Sequence, residues 1–324
     1  MNRLILDKTD LNILTVLAKD SRTSYRSAGS MVGLTSKSVK SRVKSMAHNG
    51  IIEKFIVRVN PAGFGYRTVH VVVKTNNAIT KDEVIERITQ FGDIAYYVYH
   101  MGRTLMAALI IKESLYNNNI INSLNNFLAP AVVHRTLISE LPVSVNVSET
   151  DLGIMKCLLL SGARMEISDI AKKLGVSEKT ITRRLDRMKE GHLLEFSVQC
   201  DAASIVGYIQ FAILISVEKS YYHYISERMY LEFKEKILYR HSIIDPGDFL
   251  TFILFGENVF MIDLVLAKVD SFKGVKNADV YIVTKLQYHN DWIIREIDER
   301  LSLSSSSSSS RLVADKSMGI ASSF

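Results

Sequence analysis

The chain repeats itself at a spacing of 141 to 142 residues, and no other feature restricts its fold as much. DKTDLNILTVL, from Asp7, returns as SETDLGIMKCL at Ser148, and GLTSKSVKSRVKSM, from Gly33, returns as GVSEKTITRRLDRM at Gly175. Further on, Gly65-Tyr66 answers to Gly207-Tyr208. A chain of this kind has to fold as two similar halves that bury the same stripes. Its 324 residues suit roughly two such halves of about 150, and 47% hydrophobic content is enough to build their cores.

Within each repeat the local signals define three helices. Asp7 and Ser148 each stand three residues before an acid, Asp10 or Asp151, at the head of an apolar stripe, the capping-box pattern of a helix start. Leu11, Leu14 and Leu17 recur as Leu152, Met155 and Leu158. A second short helix follows from about Ser24 or Ser168. A turn comes at Gly33 or Gly175, and a third helix is capped by Thr35 or Ser177. In that third helix Val39, Val43 and Met46 fall at i, i+4 and i+7, as do Ile181, Leu185 and Met188, so this face packs inward. IIEKFIVRVN and LLEFSVQCD then read as short strands of a wing hairpin, which makes each unit a winged helix-turn-helix.

Behind each unit lies a different pattern. RTVHVVVK, a helix opened by Thr80 and Glu83, IAYYVYH, TLMAALIIK, a helix through Ile120, Leu124 and Phe127, and VVHRTLIS read βαββαβ. IQFAILISV, a helix through Ile225, Met229 and Phe233, ILYRHSII, FLTFILF, a helix through Ile262, Leu266 and Val269, and DVYIVTKLQY repeat that order. The expected fold class is α+β: two winged helix-turn-helix units alternating with two ferredoxin-like βαββαβ units. The boundaries fall at 1–63 and 142–205 for the helical heads and at 64–141 and 206–301 for the βαββαβ units. A serine-rich tail without packing pattern, expected to be disordered, takes 302–324. VHVVV, AALII and FAILI are apolar at nearly every position, so both faces of each sheet need cover. The expectation is sheet-to-sheet packing of the two units, as an intramolecular pseudo-dimer or between chains of a homo-oligomer.

Charge singles out the third helices. Lys37, Lys40 and Lys44 fall at i, i+3 and i+7 on the face opposite the apolar stripe. From Thr35 to Asn49 there are four basic residues and no acids; from Ser177 to Glu190 there are five basic and three acidic, a balance of +2. The net charge of the whole chain, +6, permits a nucleic-acid partner without demanding one. Two cysteines, Cys157 and Cys200, are too few for a disulfide framework, and no apolar run reaches the roughly 18 residues of a membrane span, so the expected location is the cytoplasm, away from membranes. The sequence contains no P-loop, no G-x-S-x-G, no H-E-x-x-H and no C-x-x-C, so no catalytic residue, metal ligand or cofactor is assigned.

These residues resemble the leucine-responsive and asparagine-synthetase regulator (Lrp/AsnC) transcription factors of bacteria and archaea. The resemblance rests on LDKTDLNILTVLAKDSRTS, on GLTSKSVKSRVKSMAHNGIIEKFIVRVNPAGFGY and on the βαββαβ unit behind them, and it covers nearly the whole chain twice. It implies a non-enzymatic regulator that binds double-stranded DNA, with two heads in one chain where the family commonly has one. It places Ser36, Lys37, Lys40, Ser41 and Lys44 in the major groove, with Arg42 nearer the phosphates. Their counterparts are Glu178, Lys179, Thr182, Arg183 and Asp186, beside Arg184 and Arg187. It also implies an amino-acid-like effector at a Gly-acid-aromatic turn, found as Gly247-Asp248-Phe249 in the second copy; in the first only Gly102 remains, and a plain hairpin turn explains it as well. Two alternatives stay open. Siroheme decarboxylases share this layout, but the histidine-rich stretch on which their activity depends is reduced here to His100 and His241. A protein-interaction regulator with one head that does not bind DNA would suit the acids Glu178 and Asp186.

Overall fold

The computed structural model describes residues 4–139, 142–244 and 248–303; the run Ser304 to Ser310 and the turn glycine Gly247 lie outside them. The first half consists of α1 (Lys8–Lys19), α2 (Tyr25–Val32), α3 (Ser36–His48), β1 (Ile52–Val59), β2 (Tyr66–Lys74), α4 (Lys81–Phe91), β3 (Asp93–His100), β4 (Thr104–Lys112), α5 (Asn118–Leu128) and β5 (Val132–Ser139). The second repeats the order: α6 (Glu149–Ser161), α7 (Ile167–Leu174), α8 (Glu178–Glu190), β6 (Leu194–Cys200), β7 (Ile209–Val217), α9 (Tyr222–Phe233), β8 (Ile237–Ile244), β9 (Phe249–Gly256), α10 (Val259–Asp270) and β10 (Val275–Tyr288). A further helix covers 291–303.

The helix starts form as the capping pattern requires. The Asp10 amide donates to Asp7 Oδ1 at 2.7 Å while the Asp7 amide donates back to Asp10 Oδ2, and Ser148 with Asp151 does the same at α6. The turn before α3 needs glycine for its conformation: Gly33 has φ +72°, and a Cβ there would meet nothing within 4 Å, so the backbone angle and not space selects the residue.

The wing hairpins are not formed. Each head supplies a single strand, and β1 pairs antiparallel with β6 along Ile52–Val59 and Leu194–Cys200, so the two-stranded ribbon is shared between the halves. Local pattern reads two strand-like runs correctly but cannot choose a partner strand, and the equivalent strand of the other half completes the pairing.

The two βαββαβ units close one eight-stranded barrel in the order β10-β3-β4-β2-β5-β8-β9-β7. β10 is long enough to serve both units: Val275–Ile282 pairs with β7 and Val283–Tyr288 with β3. On the other side Ser139 pairs with Ile244. The continuous apolar runs follow from this closure. Val69, Val71 and Val73 pack outward beneath α4 and α5 with Val84, Ile88 and Leu124, whereas Val72 and Leu214 line the interior.

The heads cross over. The first packs its core, Leu14, Leu17, Val43 and Met46, with Val198, Leu238, Tyr239 and Phe255 of the second half. The second packs Leu152, Met155 and Met188 with Val57, Phe64 and Ile110 of the first half and with Trp292, Ile293 and Ile297 of the 291–303 helix. Each such fully buried side chain contributes about 1.5–3 kcal/mol, so the crossed arrangement rests on two substantial cores.

Candidate nucleic-acid interface

α3 stands with one face buried and the other free. Val39, Val43 and Met46 are at most 2% exposed, while Ser36, Lys37, Lys40, Ser41 and Lys44 are all exposed. The Thr35 hydroxyl accepts from the Ser38 amide at 3.2 Å and holds the N-terminal turn. Among the described residues, Lys37, Lys40 and Lys44 have no ion-pair partner, so all three ammonium groups are available to an external anion.

Arg42, which the resemblance sets nearer the phosphates, also has partners inside the head. Its Nη1 lies 2.8 Å from both Asp7 Oδ2 and Asp10 Oδ1, and the hydrogen bonds to Asp10 and Asp7 raise its pKa. This arginine ties α3 to the capping box of α1. In the second head Arg184 Nη1 donates to Ser148 Oγ at 2.8 Å and to Asp151 Oδ1, and Arg187 Nη2 sits 2.6 Å from Asp151 Oδ2. Asp151 is completely buried, so it needs both partners. Arg184 is thereby taken up inside the head, and Arg187 remains exposed at the interface edge.

Subtracting the paired groups sharpens the contrast between the helices. α3 keeps Lys37, Lys40 and Lys44 with no acid beside them, a balance of +3. On α8 the exposed Lys179, Arg183 and half-engaged Arg187 are offset by Glu178, Asp186 and Glu190, which brings the balance to zero. Lys189 also leaves the surface count, since its Nζ lies 2.6 Å from Asp20 Oδ2 at the end of α1 in the other head. Thr182 is exposed, with its hydroxyl donating to the Glu178 carbonyl.

Sequence reasoning passed over the residues that join the heads. Arg22 and Arg164 hold equivalent repeat positions, and each donates to backbone carbonyls in the loop of the opposite head. The Arg164 guanidinium also stacks 4.6 Å from the Tyr25 ring and 5.1 Å from Phe55. Their shared position in the repeat was the available signal. At the other candidate site, Asp248 is exposed and the Phe249 ring lies 5.4 Å beneath the guanidinium of Arg135, which also pairs with Asp279. Gly102, with φ +76°, makes the hairpin turn between β3 and β4. His100 is buried at the end of β3 with its Nδ1 unpartnered.

Comparison with known proteins places these helices. The AsnC-type helix-turn-helix domain matches twice, at residues 6–47 and 147–189, spanning the first three helices of each half. The HTH-type transcriptional regulator LrpA of Pyrococcus horikoshii is 29% identical over 106 residues, which is 33% of this chain and 75% of that protein. The HTH-type transcriptional regulator Ptr1 of Methanocaldococcus jannaschii is 27% identical over 128 residues, 40% of this chain and 82% of that protein. Among solved structures, the siroheme decarboxylase NirDL aligns over 92% of this chain and 99% of its own with a TM-score of 0.51 at 14% identity, a likeness of fold alone. The chain thus carries the AsnC-type helix-turn-helix domain twice and has Lrp-type transcriptional regulators among its relatives.

Proposed function

We propose that the protein is a cytoplasmic, non-enzymatic transcriptional regulator that binds double-stranded DNA through α3 and α8, with α3 supplying most of the affinity. The observation that carries this reading is the face of α3: three unpaired lysines directly opposite a fully buried stripe, inside a matched AsnC-type domain. Lysine and arginine on such a helix neutralise phosphates and donate to guanine edges, and Ser36 and Ser41 add neutral hydrogen-bonding groups. Because the heads share the β1–β6 ribbon, they meet DNA as one body, which suits two half-sites in a set relation.

Fluorescence anisotropy of the full chain on DNA fragments selected from a genome-wide map of its bound sites tests this directly. Specific binding that falls with salt supports it. Binding no tighter to mapped sites than to random duplex, or unaffected by Lys40→Ala with Lys44→Ala, rejects it.

A further inference from the structure

Between the barrel and the β1–β6 ribbon lies a half-open cavity of about 150 Å³, lined among others by Arg58, His70, Tyr96, Glu195, Tyr288 and Trp292. A second space of about 70 Å³ lies against it inside the barrel and shares Arg58, Tyr96 and Tyr288 with it. Polar atoms here are left without partners. His70 is 2% exposed, and its Nε2 meets the Tyr96 hydroxyl at 2.8 Å, while Nδ1 is unpartnered. Arg58 pairs with Glu195 through Nη2, but its Nε is also unpartnered, as is Nε2 of His289 on the same wall. An unmet buried polar atom costs about 1–3 kcal/mol, so a guest that reaches one of these groups is favoured.

These polar groups are not required by the fold, because the repeat provides a control. The positions 142 residues beyond Arg58 and His70 are Cys200 and Ala212, which occupy the same strand positions in the other half and carry no such groups. The arginine–histidine pair is therefore confined to one of the two equivalent places; the other buries Gln210, the counterpart of Thr68, instead.

The chemistry of the walls defines the guest. Glu195 already balances Arg58, and burial pushes His70 down to about 4, so the ring is neutral at physiological pH. An added charge would find no counter-ion. The tyrosine rings 96 and 288, with centroids 5.3 Å apart, and Trp292 provide flat apolar surface. Arg58 Nε–H donates, and His70 Nδ1 donates or accepts according to how the proton is shared with Tyr96. A cavity of this volume accepts a guest about the size of benzene. We propose that this cavity binds a neutral, flat ring bearing an amide or lactam group, of the size of uracil or nicotinamide.

His192, with φ +58°, and Leu193 line the cavity in the link between α8 and β6, and β6 supplies Glu195. Occupancy would therefore bear on the second head. That consequence rests on the regulator reading; the binding itself does not.

The experiment uses the full chain without DNA. Trp292, the single tryptophan, lines the cavity, so its emission reports occupancy during titration with uracil, cytosine or nicotinamide, with benzoate and benzene as controls. The expected result is saturable quenching by at least one neutral amide ring, weakened tenfold or more by His70→Phe and by Arg58→Met and unchanged by Cys200→Ser at the equivalent position. Should His70→Phe fail to fold, His70→Gln serves, with a crystal soaked in the best ring showing density in the cavity beside Tyr96 and Tyr288. Benzoate binding as tightly as the amides overturns the assignment of ligand class. Ordered water alone in the soaked cavity, with no ring quenching Trp292, overturns the site. Failure of DNA binding in a separate assay would strike the regulator reading and leave this result standing.

Discussion

Arg22 and Arg164, 142 positions apart in the repeat, each reach into the other head: Arg22 Nη1 donates to the carbonyls of Ala163 and Met165 at 2.8 and 2.9 Å, and Arg164 Nη2 to that of Thr23 at 3.4 Å. Charged donors on backbone carbonyls contribute about 1.5–3 kcal/mol where burial is high, and both arginines here are partly buried. The expected outcome of Arg22→Ala with Arg164→Ala is a loss of about 2–4 kcal/mol in urea unfolding. Affinity for DNA carrying two half-sites should fall more than affinity for one. Equal losses on both fragments would mean that the clasp does not set the relation of the heads.

Lys37, Lys40 and Lys44 replaced together by alanine should lower the slope of log K against log salt by about 2–3, since each neutralised phosphate contributes about 0.9. Lys179, Arg183 and Arg187 replaced likewise should lower it by about 1–2, because Arg187 is already engaged by Asp151. The salt series by anisotropy reads both, and equal slopes would remove the asymmetry.

Arg42→Ala separates stability from binding. Its partner Asp10 is 5% exposed, so the variant should lose about 1–3 kcal/mol in a urea melt, while the salt slope changes by less than about 0.5. Asp151→Ala should cost more than Arg42→Ala, because it removes the capping-box acceptor as well as the partner of Arg184 and Arg187.

His70 and His100 produce an acid sensitivity. Burial lowers both to about 4, with Lys81 adding to the effect at His100. A histidine with a folded pKa below its unfolded value of about 6.5 binds its proton more readily when unfolded. Stability is therefore complete above about pH 6.5 and declines as pH falls towards 4. At pH 5 the loss is about 2 kcal/mol per histidine. Urea melts at pH 7.5 and pH 5, compared with those of His70→Phe, measure it, and the variant should show a smaller decline.

The likeness of fold to NirDL makes a tetrapyrrole assay informative. The barrel cavities of about 150 and 70 Å³ fall below the roughly 300 Å³ at which pockets for larger ligands begin, and the larger spaces of about 460 and 590 Å³ are open surface clefts. Purified protein incubated with siroheme should return it unchanged by chromatography, and decarboxylated product would reverse the functional reading.

Much of this was legible in the residues. Asp7 with Asp10 and Ser148 with Asp151 signalled helix starts because capping is a contact between residues three apart. Val39, Val43 and Met46 marked the inner face of α3 because helical periodicity is local too. Arg42 looked like its lysine neighbours, since its acceptors lie 32 and 35 positions away and charge alone does not show pairing. His70, set in an apolar run, gave no sign of a cavity because its neighbours Arg58, Tyr96 and Tyr288 come from three other strands.

The sequence by itself determined the repeat, the three-helix heads, the βαββαβ order and the need for both sheet faces to be covered, all of which follow from spacing and local hydrogen bonding. The tertiary structure alone decided that β1 would pair with β6, that each head would pack against the opposite half, and that the two sheets would close as one barrel. Two similar halves offer each strand and each apolar stripe two comparable partners, its own and its copy's. Which one it takes depends on the loop geometry and packing of the whole chain, which no local pattern contains.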